Sequence, residues 1–250
     1  MGLALNAASG SALAEDFASL ALLHDREFTP ALILALRQAD FPGNLAMLPR
    51  DDAGRDGVEA MHRALAALPS DLDADCVDGL AADFAAIYLT AAYGASPSES
   101  YWLSDDHLVC QSPMFELREE YKARGLAVPD WRLRPDDHLV FQLQFVAHLL
   151  NSVANADDWR ALGRFMDFHL LRWLPDFARR VAARCETPLY AALAMLTFAW
   201  CDQLRALIAG NLGEAALTAD EVAAQLNSRR IGDALAEPVR FFPGSSGPSW

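Results

Sequence analysis

The chain has 250 residues, of which 53% are hydrophobic and 22% charged, so it can bury a large core and is not typical of a disordered protein. Its 34 acidic residues outnumber 20 basic ones, which gives a formal net charge of −14. A surface of that sign repels phosphate backbones, which argues against nucleic-acid binding and favours a basic partner. Lys122 is the one lysine and lies in Tyr-Lys-Ala, so the Gly-Lys-Ser/Thr end of a phosphate-binding loop is excluded.

Export and membrane insertion are not expected either. The first basic residue is Arg26, so the N-terminus lacks the positively charged region of a signal peptide. The uncharged stretch at 187–201 is shorter than the roughly 20 residues that span a bilayer. These features predict a soluble cytoplasmic protein. Without a C-x-x-C pair, free buried thiols are expected at Cys76, Cys110, Cys185 and Cys201.

Apolar residues recur at helical spacing along nearly the whole chain. In the first half this pattern predicts helices over about residues 12–25, 29–40, 57–68 and 73–93. Residues 41–57 hold two prolines and three glycines, which is typical of a loop. At 101–109 a short hairpin is an alternative to a loop with a short helix, and the loop is favoured.

The next helix has clear boundary residues, with Ser112 as N-cap, Pro113 in the first turn and Gly125 after its end. Residues 126–135 carry two prolines and are predicted to form a hinge. The hinge separates an N-terminal half, about 1–125, from a C-terminal half, about 136–235.

In the second half, a helix over about 136–150 places His138 in its first turn, where the helix dipole disfavours a charged imidazole and capping gives the residue no role. Further helices are expected at 158–183, broken near Pro175, and at 187–212. A last helix, 219–230, opens with a capping box, and 238–250 is a flexible tail. The predicted fold is all-α, a single globular helical domain of about ten helices.

The densest polar cluster runs from Arg134 to His138. In the first turn of a helix, Asp136 can accept hydrogen bonds from free backbone N–H groups, which explains its presence. A carboxylate beside His138 is also compatible with a pair in which it orients the imidazole as a general base. A helical metal-dependent hydrolase using Asp137 and His138 is therefore kept as the alternative function, and an oligomerisation module as a third. Zinc sites usually take closely spaced ligands from two separate segments of the chain. Only one such segment is present here, with Asp105, Asp106, His107 and Cys110.

Phe84 and Tyr88 are four residues apart and share one helix face. Core packing is the ordinary interpretation of such a pair. A partly open aromatic face with carboxylates at its rim would instead suit a peptide with an apolar helix and a basic flank.

Several segments resemble the TorD/DmsD family of redox-enzyme maturation chaperones. They are Glu99-Ser100-Tyr101-Trp102-Leu103, Glu116-Leu117-Arg118 with Tyr121 and Gly125, Pro135-Asp136-Asp137-His138, and His169-Leu170-Leu171-Arg172-Trp173-Leu174-Pro175. The resemblance covers about residues 75–205. It implies an all-helical cytoplasmic chaperone, not an enzyme, that binds the twin-arginine leader and/or the apo form of a molybdopterin-containing oxidoreductase. Such a chaperone assists cofactor insertion and delays export until its client is folded.

The same resemblance implies no cofactor for the chain itself, and the 126–135 linker is compatible with a homodimer formed by exchange of halves. Arg134 stands where the family has glutamate, which removes one acidic contact. The positions that match the family's leader-binding residues are Phe84, Ile87, Tyr88, Pro97, Trp102, Tyr121, Pro135, Asp136, Asp137 and His138.

Overall fold

The computed structural model describes residues 5–235, without the side chains of 229–235. Over these residues the all-α prediction is confirmed, because eleven α-helices and one π-helical turn form and no β-strand does. The helices are α1 Ala7–Asp25, α2 Pro30–Gln38, α3 Asp52–Ala67, α4 Ala74–Phe84, α5 Glu99–Leu103, α6 Ser112–Lys122, α7 Leu139–Ser152, α8 Ala156–Phe168, α9 Leu170–Arg184, α10 Pro188–Leu212 and α11 Ala219–Leu235.

The described chain divides into two compact units. The first ends at Ala216 and holds α1 to α10, and the second begins at Leu217 and holds α11. At the start of α11 the predicted capping box is present: Glu221 accepts a bond from the Thr218 backbone N at 2.8 Å, and the Thr218 hydroxyl accepts one from the Glu221 backbone N at 3.2 Å. The hinge at 126–135 stays a prediction, and the tail predicted at 238–250 lies outside the described residues.

The core of the first unit is built by helices that are distant in sequence. α1 packs along α7, while α10 packs against α3 and α9. Gly10 permits the first contact, because a Cβ there would lie 2.5 Å from the Leu150 carbonyl oxygen and from the Val153 side chain. Trp173 and Trp200 are completely buried in this core.

The helix α10 runs for 25 residues, longer than the uncharged stretch considered above, and ends at Gly213, whose φ of +69° is left-handed. By length and composition it could cross a membrane, with a mean hydropathy of 1.3 in its most apolar window. However, 72% of that window is buried inside the protein. This is typical of the central helix of a helical core.

Several predicted helix boundaries are wrong, and α1 and α3 each begin five residues before the predicted start. The helix α7 begins at Leu139, and His138 is its N-cap: the His138 Nδ1 accepts a hydrogen bond from the Val140 backbone N at 3.1 Å, so the residue does have a capping role. The break expected at Pro175 lies at His169, whose ring instead bonds a buried carboxyl group on α5. Pro175 continues α9 in its second turn, where it removes a single backbone hydrogen bond.

The cysteines are free, as expected, but only Cys201 is fully buried. The prediction of buried thiols is wrong for the others, which are half-buried, at positions Cys76, Cys110 and Cys185.

Candidate functional site

Two short segments that are 40 residues apart in sequence meet side by side. The Leu139 backbone N donates to the Pro97 carbonyl at 2.8 Å, and the Glu99 backbone N donates to the Asp137 carbonyl at 3.1 Å. Ser98 and His138 thus form an isolated antiparallel bridge. This pairing brings Pro97 next to the Pro-Asp-Asp-His motif, as the sequence-based site requires.

Asp136 is held by α6. Its carboxylate accepts two bonds from the Arg118 guanidinium, Nε to Oδ1 at 3.1 Å and Nη2 to Oδ2 at 2.9 Å. Its backbone carbonyl accepts a bond from the Tyr121 hydroxyl at 3.0 Å. Arg118 in turn lies 5.3 Å from the ring centres of both Phe115 and Trp131. A bidentate pair of this kind fixes the segment and neutralises the carboxylate.

Asp137 is completely buried and only half satisfied. Its Oδ2 accepts a bond from the Ser100 backbone N at 2.7 Å, at the start of α5, while its Oδ1 has no hydrogen-bond partner. Burial raises the pKa of this carboxyl group to about 6, and the neighbouring Glu99 acts in the same direction. Asp137 is therefore a buried carboxyl group of the motif with only one of its two oxygens hydrogen-bonded.

Glu99 is the centre of a network that connects three helices. It is completely buried and accepts a bond from the Gln142 side-chain nitrogen at 3.0 Å. The His169 Nδ1 lies 3.2 Å from one of its oxygens, and the Arg172 guanidinium lies 3.9 Å from the same oxygen. Gln142 also donates to the Asp137 carbonyl at 2.9 Å, so the network also holds the backbone of the Pro-Asp-Asp-His motif.

Asp137 and His138 are neighbours that serve different partners, because one holds α5 and the other caps α7. Burial lowers the pKa of His138 well below its usual value, and nearby Arg134 and His24 act in the same direction. The geometry is that of structural contacts, not of a carboxylate orienting an imidazole. Among the described residues, no group of three or more His, Cys, Asp or Glu side chains is placed to hold a metal ion.

The aromatic residues of the predicted site form a second cluster. The rings of Phe84 and Tyr88 are 4.9 Å apart, and Tyr190 from α10 lies 6.1 Å from Tyr88. Ile87 is completely buried beside them. Tyr88 belongs to the π-helical turn Ala85–Leu89, a kind of helix distortion that is frequent at functional sites.

His24 fixes the position of Tyr88. The Thr197 hydroxyl donates to the Leu193 carbonyl at 2.8 Å, so it accepts from the His24 Nε2 at 2.8 Å. The His24 Nδ1 is then an acceptor, and the Tyr88 hydroxyl donates to it at 2.6 Å. Because burial lowers the pKa of His24 to about 3, the ring stays neutral and this chain of bonds persists at neutral pH.

Trp102 lies at the end of α5 and is half-buried. Its indole nitrogen donates to the Ser96 carbonyl at 2.8 Å, and the Arg180 guanidinium lies 5.7 Å from its ring centre. The ring is thereby fixed at the surface, with a cation on one face.

A half-open groove of about 530 Å³ lies beside these clusters. Its apolar wall comes from the 126–129 segment and from Phe141 and Phe145 on α7. Its polar groups include Asp25 at the end of α1 and Arg134, which form an ion pair across it. The groove is the feature of this region best shaped to receive a ligand.

The structure therefore brings together most of the predicted site residues, but in two clusters. Pro97, Tyr121 and residues 135–138 form one, and Phe84, Ile87 and Tyr88 form the other; His24 lies between them, near enough to lower the pKa of His138. Sequence reasoning missed the groove and several polar partners, of which the two arginines are half-buried and the others buried. These partners are His24, Arg118, Gln142, His169 and Arg172.

Comparison with known proteins gives consistent matches. The family model described as nitrate reductase delta subunit matches residues 51–179. The protein named chaperone protein TorD of Vibrio vulnificus strain YJ016 is 30% identical over 196 residues, which is 75% of this chain and 90% of the relative. The protein of the same name from Salmonella arizonae is 30% identical over 187 residues, 73% of this chain and 85% of the relative. That from Vibrio cholerae strain M66-2 is 31% identical over 153 residues, 58% of this chain and 67% of the relative.

Proposed function

This chain belongs to the TorD family of chaperones, and from that premise we propose that it is a molybdoenzyme maturation chaperone acting in the cytoplasm. It binds the twin-arginine leader and/or the apo form of a molybdopterin-containing oxidoreductase, assists cofactor insertion and delays export until the client is folded. It does so by binding alone, without a catalytic step.

The groove beside α7 carries this proposal. Its volume of about 530 Å³ and its aromatic wall suit the apolar segment of a leader, and burial of that segment supplies about 25 cal/mol for each Å² removed from water. The carboxylate of Asp25 at its edge suits a basic residue. The net charge of −14 attracts the same kind of peptide from a distance.

The predicted site residues take two different roles in this proposal. Tyr88, Trp102 and Pro135 are half-exposed and contact the leader. The buried members position the surrounding surface through the hydrogen bonds and packing described above. They are Phe84, Ile87, Pro97, Tyr121, Asp136, Asp137 and His138.

Titration with a synthetic twin-arginine leader tests the function directly. We expect saturable binding by calorimetry with a micromolar dissociation constant, about −8 kcal/mol, because a chaperone must also release its client. Raising the salt from 50 to 300 mM should weaken the affinity several-fold, since the partners carry opposite net charge. A leader with a lysine pair serves as the control peptide. Binding that ignores both salt and the arginine pair would contradict the proposal.

Truncation of one aromatic residue of the groove wall and one predicted aromatic contact tests the assigned surface. We expect Phe141→Ala and Trp102→Ala each to weaken leader binding about tenfold, or about 1.4 kcal/mol, because each removes apolar area from the contact. Phe115→Ala is the matched control, since Phe115 is a 52% exposed aromatic residue that neither lines the groove nor belongs to the predicted leader-binding positions. If the control weakens binding as much as the other two variants, the leader contacts a different surface.

A further inference from the structure

An ion pair that belongs to the chaperone itself forms part of the lining of the groove. The Arg134 guanidinium bonds the Asp25 carboxylate, and its central carbon lies 5.7 Å from the ring centre of Phe141. A cation, a carboxylate and an aromatic face therefore meet inside the same groove whose other wall is apolar.

This pair is the kind that can open. The side chains of Arg134 and Asp25 are 32% and 31% exposed, so water screens their attraction and can solvate both groups when they separate. The pair between Arg205 and Asp167 is different, because its side chains are only 8% and 3% exposed and separating them would leave two charges in the protein interior.

We propose that Arg134 is an internal competitor for the client's arginine. In the free chaperone its guanidinium occupies Asp25 and the face of Phe141. In the complex an arginine of the leader takes both contacts, Arg134 turns out to solvent, and the apolar part of the leader fills the groove. The proposal rests on the leader-binding function above and adds the residue that sets its affinity and its preference for arginine.

The site that Arg134 leaves, between the Asp25 carboxylate and the Phe141 ring, favours arginine over lysine. A planar guanidinium can bond a carboxylate and stack on an aromatic ring at the same time, whereas an ammonium group is a more strongly hydrated point charge. Removing the resident guanidinium should therefore increase binding of an arginine leader more than binding of a lysine leader.

The test compares three variants by calorimetric titration with the twin-arginine and the twin-lysine leader. We expect Arg134→Gln to bind the arginine leader five- to tenfold more tightly than the wild type, with a smaller gain for the lysine leader. We expect Asp25→Asn to bind it at least fivefold more weakly. The matched control is Arg55→Gln, which also removes one positive charge from a surface ion pair, with Asp52, but lies outside the groove.

The outcomes separate this proposal from the proposed function. If the wild type binds the leader and Arg134→Gln binds it equally well or more weakly, the internal-competitor proposal is overturned. The proposed chaperone function is unaffected by that result. An equal gain in Arg55→Gln also overturns it, because net charge alone then explains the effect. Binding of the leader to none of the proteins counts against both. Circular dichroism of each variant confirms that the fold is retained.

Discussion

Replacing Glu99 by alanine is expected to lower the free energy of unfolding by about 3 kcal/mol. The completely buried carboxyl group accepts a bond from Gln142 and lies within 3.3 Å of the His169 Nδ1. Alanine would leave both polar groups buried without this partner, which costs the desolvation free energy of each group. The loss is measured by urea unfolding followed by circular dichroism.

Glu119→Ala is the control for this measurement. Glu119 is on the surface of α6, with 70% of its side chain exposed, and pairs with Lys122 at 2.7 Å. Its removal should change stability by less than about 0.5 kcal/mol. Equal effects of the two substitutions would show that the network around Glu99 does not hold α5, α7 and α9 together.

Asp137→Asn is expected to stabilise the protein by about 2 kcal/mol at pH 7.5. Burial raises the pKa of Asp137 from 3.8 to about 6, which corresponds to about 3 kcal/mol spent on ionising it in the folded state. Asparagine keeps an oxygen for the Ser100 backbone N and removes the charge. Part of the gain is lost because its amide nitrogen replaces the oxygen that has no partner.

The effect of the Asp137→Asn substitution on stability depends on pH. The pKa of Asp137 is higher in the folded than in the unfolded state, so its ionisation destabilises the folded protein. This destabilisation is absent below about pH 4, grows as the pH rises to about 6, and is constant at higher pH. The advantage of the asparagine variant should therefore shrink by about 1.4 kcal/mol between pH 7.5 and pH 5.

Other buried carboxyl groups cancel in this difference, because both proteins contain them. Asp105→Asn, at an exposed position, is the control and should change stability little at any pH. An Asp137→Asn protein that is less stable than the wild type at pH 7.5 would mean that the carboxylate has a partner strong enough to outweigh its burial.

Helical periodicity was sufficient to predict most of the fold, because each long helix buries one apolar stripe. The failures occur where a tertiary contact outweighs a local preference. Proline is the usual helix breaker, yet the chain breaks at His169, whose ring reaches the carboxyl group of Glu99. The helix α7 begins three residues later than expected, so His138 precedes it, and the His138 ring nitrogen accepts the hydrogen bond of an N-cap.

The groove could not be predicted in the same way. Its walls come from the end of α1, the 126–134 segment and one face of α7, and no local pattern reports that these approach one another. The substitution at Arg134 was visible in the sequence as the loss of an acidic contact. Its partner Asp25 lies 109 residues away, so only the structure shows what the arginine contacts.

The pairing of α1 with α7 has a consequence for synthesis on the ribosome. About 130 residues separate the ends of these helices, which takes roughly 6 to 25 s at 5–20 residues per second. During that interval the apolar face of α1, with Leu13, Phe17 and Leu20, has no α7 to cover it. The nascent chain therefore exposes an apolar helix face to water until α7 has been synthesised.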